Sequence, residues 1–192
     1  MKRILRRLGA LFLTALLLAG VLAPAAGARE DAARALTILF THDTHDHFLP
    51  APAEDGGEYG GYTRLATLLC QEREVAEHPV VTLDAGDFSM GSLFQTIYSS
   101  DAPELRALGA MGYDVSTLGN HEFDYRSAGL AAMLNAAVDS GERLPALVQA
   151  NYKPPAEDTA AWAAWRRYGV GDYTVLERGG LRVAVFGVLG VD

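Results

Sequence analysis

The chain has a single cysteine, Cys70, among 192 residues. No intrachain disulfide can form, so stability must come from a core and its hydrogen bonds. With no activating partner near it in sequence, Cys70 reads as a helix core residue. Positive charge is also short: 16 Lys and Arg face 24 Asp and Glu, for a formal net charge of −8. That balance argues against a groove built to hold nucleic-acid polymers. Small phosphorylated substrates stay possible, because bound metal cations would dominate the local field. Internal repeats are absent, and so are long apolar runs apart from Leu8 to Leu22. That run is about 15 residues, where a bilayer-spanning helix needs roughly 20.

The run has the features of an export signal. Lys2, Arg3, Arg6 and Arg7 form a basic start, and Ala26-Gly27-Ala28 supplies the small-x-small cleavage pattern. No cysteine lies near the cleavage site, which argues against a lipoprotein. Residues 1–28 are expected to be removed after Ala28, giving a periplasmic, cell-surface or secreted protein with no membrane association beyond export. The segment carries four basic residues and no acidic one, so its loss takes the formal charge from −8 to −12. The remainder, 29–192, is long enough for one ordinary core.

Periodicity gives an alternating order of strands and helices. Leu36 to Phe40 alternates as a strand, with Leu36, Ile38 and Phe40 on one face. Residues 50–61 are rich in Pro, Gly, Glu and Asp and form a loop. Helical spacing follows from Tyr62 to Glu77 and stops at His78-Pro79. Val80 to Leu83 is the second strand, and Asp114 to Leu118 the third. Between them, Asp101-Ala102-Pro103-Glu104 has the pattern of a capping box before a stripe of Leu105, Leu108 and Met111, which Gly112 ends. Ser127 is a candidate N-cap for a helix bearing Leu130, Met133, Leu134, Ala137 and Val138. Leu147 to Asn151 suggests a fourth strand, and Trp162 with Trp165 a short core-packing helix. Thr174–Glu177 and Leu181–Leu189 flank Gly179-Gly180 as a hairpin whose second strand reads as buried. The order predicts an α/β layered fold.

Three polar strings follow the first three strands: Asp43-Thr44-His45, Gly86-Asp87, and Gly119-Asn120-His121-Glu122-Phe123-Asp124. Open α/β sheets bind ligands at the C-terminal ends of their strands. Asp43 and His45, two apart, form an O,N pair suited to Zn, Mn or Fe. Asp-x-His and Gly-Asp are each commonplace. Their order, each after a strand, is not.

On these strings the chain resembles the N-terminal domain of bacterial 5′-nucleotidases, within the calcineurin-like metallophosphoesterases. The resemblance spans about Leu36 to Asp192. It implies a layered calcineurin-like fold of mixed sheets flanked by helices, and two divalent metal ions (Zn, Mn or similar). By resemblance Asp43 and His45 bind one metal, Asp87 bridges both, Asn120 binds the second, and His121 with Asp124 form the catalytic pair. The implied activity is phosphoester hydrolysis of extracytoplasmic nucleotides, of the 5′-nucleotidase or 2′,3′-cyclic phosphodiesterase type. His42 and Asp46 depart from the family, which has Asn and Gly there. His42 and His47 read as ordinary loop histidines.

The family also supplies three further histidine ligands and a nucleoside-binding domain beyond the position of Asp192. The chain is therefore expected to be the N-terminal part of a larger enzyme and inactive alone. Two alternatives stay open: a non-catalytic metal- or nucleotide-binding module, and an inactive piece of a UDP-sugar or sulfur-ester hydrolase relative.

Overall fold

The computed structural model describes residues 35–190. The expected export segment, residues 1–28, lies outside the described residues. In chain order the elements are β1 (Thr37–Thr41), a small hairpin of β2 (Ala51–Pro52) and β3 (Glu58–Tyr59), and α1 (Tyr62–Val75). Next come β4 (Val80–Asp84), α2 (Tyr98–Asp101), α3 (Pro103–Ala110) and β5 (Val115–Ser116). The chain continues with α4 (Arg126–Asp139), β6 (Ala146–Leu147), α5 (Thr159–Tyr168), β7 (Tyr173–Arg178) and β8 (Leu181–Phe186).

Strands β1, β4, β5 and β6 pair in that order and are all parallel. A parallel pair requires a crossover, and α1, α3 and α4 provide one each. All four strands therefore end at the same edge of the sheet. Thr41 pairs with Asp84, so the loops after β1 and β4 start level with one another.

The core lies between the sheet and its helices. Leu105 and Leu108 of α3 and Leu130, Met133, Leu134 and Ala137 of α4 are buried, as their spacing predicts. Complete burial of one such leucine contributes about 1.5–3 kcal/mol. Trp165 of α5 is buried against the same cluster, with Trp162 packed at its margin. Asp158 caps α5 by accepting from the Ala161 amide at 2.9 Å.

Local readings of the sequence fail at several places. Cys70 is exposed, because the buried side of α1 runs through Tyr62 and Leu69. The capping box does not form: Ala102, at φ 45°, takes the cap position without a side-chain bond, and Glu104 is buried instead. Ser127 is not the cap of α4, which starts at Arg126, and its hydroxyl bonds Asp158. Strand β8 alternates between half-buried and exposed positions, so it is not a fully buried strand. On β1, Leu39 packs against the core while Ile38 and Phe40 face outward. These two line a cavity of about 270 Å³ with Val185, Phe186 and Val188.

Candidate functional site

The loops after β1 and β4 are zipped together by backbone bonds. Asp43 N–H donates to Gly86 O at 3.0 Å, His45 N–H to Asp87 O at 3.0 Å and Asp46 N–H to Phe88 O at 2.7 Å. This pairing forces unusual backbone: Asp43, His45, Asp46 and Asp87 have φ of 50°, 45°, 42° and 51°. Left-handed conformation costs a non-glycine residue roughly 1–2 kcal/mol. Such costs persist where surrounding structure over-determines them, and they cluster at functional sites. The position occupied by Asp46, where the family has Gly, is one of these left-handed residues.

The loop after β5 joins from the other side. Gly86 and Gly119 meet backbone to backbone, and a Cβ on Gly86 would sit 2.5 Å from Gly119 N. A Cβ on Gly119 would collide with the Asp87 carboxylate. His121 N–H donates to Asp87 Oδ1 at 2.9 Å.

Four of the six predicted site residues thereby converge around the first two loops. His45 Nε2 lies 3.7 Å from Asp43 Oδ1, and the His45 and His121 rings meet edge to face at 5.1 Å between centroids. His45 Nδ1–H donates to Ser89 O at 2.9 Å, which leaves Nε2 as the lone-pair nitrogen facing Asp43. A metal-binding histidine is oriented in this way by its other ring nitrogen. Asn120 is exposed and lines a cleft together with Asp87, Leu189 and Gly190. Asp124 Oδ2 accepts from His121 Nδ1 at 2.8 Å.

The donor set, two carboxylates, an imidazole and an amide, fits divalent Zn, Mn or Fe in chemical type. It does not make a complete shell. Among the described residues, no three His, Cys, Asp or Glu side chains converge closely enough to hold an ion by themselves.

Electrostatics distinguish the groups. The hydrogen bond from His42 holds the Asp43 carboxyl below the usual carboxylate range. His42 is thus engaged with Asp43 and stacks on Phe40, while His47 Nδ1–H bonds Thr44 O at 3.2 Å. The bond to Asp124 pushes His121 up from its ordinary value. Asp46 is fully buried, and its Oδ1 accepts from Gly91 N–H at 3.2 Å.

Two carboxylates beneath the site were not anticipated. Asp84 accepts from Thr41 Oγ1 at 3.0 Å, Ser116 Oγ at 2.8 Å and Gly86 N–H at 3.2 Å, tying the ends of β1, β4 and β5. Burial pushes its carboxyl up to about 6, against the pull of those donors. Glu122, inside the third string, is fully buried between the second and third loops. The available signal was its place in a polar string that used its neighbours and left it unassigned.

No protein-family model matches the chain. Human 5′-nucleotidase is 42% identical over 122 residues, which is 60% of this chain and 20% of that protein. The crystal structure of a 5′-nucleotidase precursor from Thermus thermophilus superposes with a TM-score of 0.65 at 29% identity, over 80% of this chain and 28% of that one. The chain is similar to one part of 5′-nucleotidases. The calcineurin-like phosphoesterase YfkN of Bacillus subtilis shares the fold, at a TM-score of 0.56 and 22% identity over 80% of this chain and 48% of its own. The layered fold expected of a 5′-nucleotidase relative is therefore the one observed. The chain spans only a small part of these relatives, 20% of the human protein and 28% of the Thermus chain.

Proposed function

We propose that this chain carries the first half of a two-metal phosphoesterase site acting on small nucleotides outside the cytoplasm. Asp43 and His45 would hold one divalent cation, Asp87 would bridge to a second, and Asn120 would give the second a neutral oxygen. The observation carrying this reading is the pinned His45 tautomer, whose free Nε2 faces Asp43 beside Asp87. Cations bound there supply Lewis-acid polarisation of the phosphoryl group and make an attacking water more acidic.

The remaining roles belong to the chain's own side chains. With Nδ1–H donating to Asp124, His121 carries a second proton, on Nε2, in its charged form. Its raised proton affinity suits donation to a phosphoryl oxygen or to the departing alkoxide. Asp124 orients the ring and favours its charged form. Export by cleavage after Ala28 belongs to the same reading, and N-terminal sequencing of the secreted protein tests it.

Manganese titration followed by NMR tests the site. Paramagnetic broadening is expected first at His45, Asp87 and Asn120, and broadening elsewhere or nowhere sinks the reading. Phosphate release from 5′-AMP by this chain alone is expected to be negligible, because its donor set is incomplete. The incomplete set also supports a second reading, a non-catalytic metal- or nucleotide-binding module. Nucleotide binding without turnover in a longer chain containing residues 1–192 would favour the module.

A further inference from the structure

Glu122 has four donors and no exposed surface. Its Oε2 accepts from Asp87 N–H at 3.0 Å and Gly119 N–H at 2.6 Å. Its Oε1 accepts from Ser89 N–H at 3.0 Å and Ser89 Oγ–H at 2.8 Å. Two of these four come from one residue of the β4 loop, one from Asp87 itself, and one from the glycine preceding Asn120. Every one is a donor, so an accepting carboxylate is the form that fits. Its backbone carbonyl is held as well, by Tyr98 Oη–H at 2.8 Å.

The stitching is reciprocal. Glu122 on the third loop takes the Asp87 amide, while Asp87 on the second loop takes the His121 amide at 2.9 Å. Ser89, fixed at its amide and hydroxyl by Glu122, offers its carbonyl to His45 Nδ1–H. One buried carboxylate therefore reaches Asp87 and Asn120 through the backbone, and His45 through Ser89.

We infer that Glu122 is a positioning residue that fastens the β4 and β5 loops to each other, presetting Asp87, Asn120 and His45 before any ligand arrives. It touches none of the atoms expected to react. The inference deepens the proposed function and rests on it only for the consequence to metal affinity. Neutral glutamine at this position is nearly isosteric, but it replaces one acceptor oxygen with an NH2 that opposes an incoming N–H. Outer partners of metal ligands typically change affinity by about 10-fold to 100-fold.

The test is amide hydrogen exchange on the metal-free chain, comparing wild type with Glu122→Gln. Exchange at Asp87, Ser89 and Gly119 should accelerate by about tenfold or more, as expected when a bond to a charged acceptor is lost. Amides of Met133 and Leu134 in α4 should keep wild-type rates, which a general loss of stability would not allow. Ser89→Ala, which removes a single hydroxyl donor, should give a smaller change at the same amides and covers the case in which Glu122→Gln fails to fold. Wild-type exchange at those three amides in either folded variant overturns the inference, as does equal acceleration throughout α4. A manganese titration runs alongside: affinity should fall in Glu122→Gln. If wild type itself binds no manganese, the metal reading fails, and the exchange arm still decides the role of Glu122.

Discussion

Glu122 and Glu104 are both buried glutamates with no exposed surface, and they are treated in opposite ways. The first is surrounded by four donors. The second, near the start of α3, has neither carboxylate oxygen hydrogen-bonded, and Asp46 Oδ2 is likewise unpartnered. Asp46 and Glu122 both add to the field that disfavours charge on Glu104. Burial pushes both carboxyls up, and what separates them is the set of N–H and O–H donors that pulls against it at Glu122. Loops at strand ends have free N–H groups to give, whereas the α3 start gives Glu104 little compensation.

The comparison breaks most readily at Glu122. Truncation by Glu122→Ala strands several buried N–H groups, and urea unfolding should show a loss of roughly 3 kcal/mol or more. A loss below about 1 kcal/mol, the net value of one ordinary hydrogen bond, would mean that the four bonds do not act as a unit.

Glu104 should behave inversely. Burial holds its carboxyl at about 8, far above the ordinary glutamate range, so the folded state binds a proton that the unfolded state releases. The stability this brings is complete below the unfolded carboxylate range and is lost as pH rises through about 8. Glu104→Gln should therefore flatten the fall between about pH 5 and pH 8, and stabilise the protein at about pH 9 by roughly 1–3 kcal/mol. Unfolding midpoints that fall equally with pH in both proteins would show that Glu104 is not the group responsible.

A smaller effect is expected at Asp124. Asp124→Asn removes the main cause of the raised His121 proton affinity, so the imidazole should titrate lower by NMR. The direction matters here more than the size, and an unchanged titration would detach Asp124 from His121. The smallest effect belongs to the surface. Arg106 donates to both Glu142 oxygens, at 3.1 and 2.7 Å, in solvent. Glu142→Gln should leave the unfolding midpoint unchanged, because exposed ion pairs contribute little. A clear shift there would undo the contrast between solvated and buried carboxylates.

Much of the architecture was legible. The alternation of strands and helices, the core faces of α3 and α4, the short helix with Trp165 and the hairpin all follow from periodicity and turn residues. Capping was not: Glu104 and Ser127 have the right residue types, but tertiary packing and tertiary partners took their side chains. Cys70 failed for a related reason, since one helix position separates a buried side from an exposed one. At the site, each residue type and its place after a strand were visible in the three strings. Glu122 and Asp84 were not, because a carboxylate's hydrogen-bond donors come from segments distant in sequence.

The sequence by itself determined which chemistry the strand ends can offer: carboxylates, imidazoles and an amide, spaced so that each follows a strand. Only the tertiary structure decided which of them meet. Parallel pairing levels the strand ends, left-handed turns at Asp43, His45 and Asp87 aim the side chains, and the contact of Gly86 with Gly119 admits no Cβ between the loops. It also decided that one buried glutamate is a fastener and the other an unpaired acid. The physical reason is that hydrogen bonding and desolvation depend on neighbours in space, which no local spacing records.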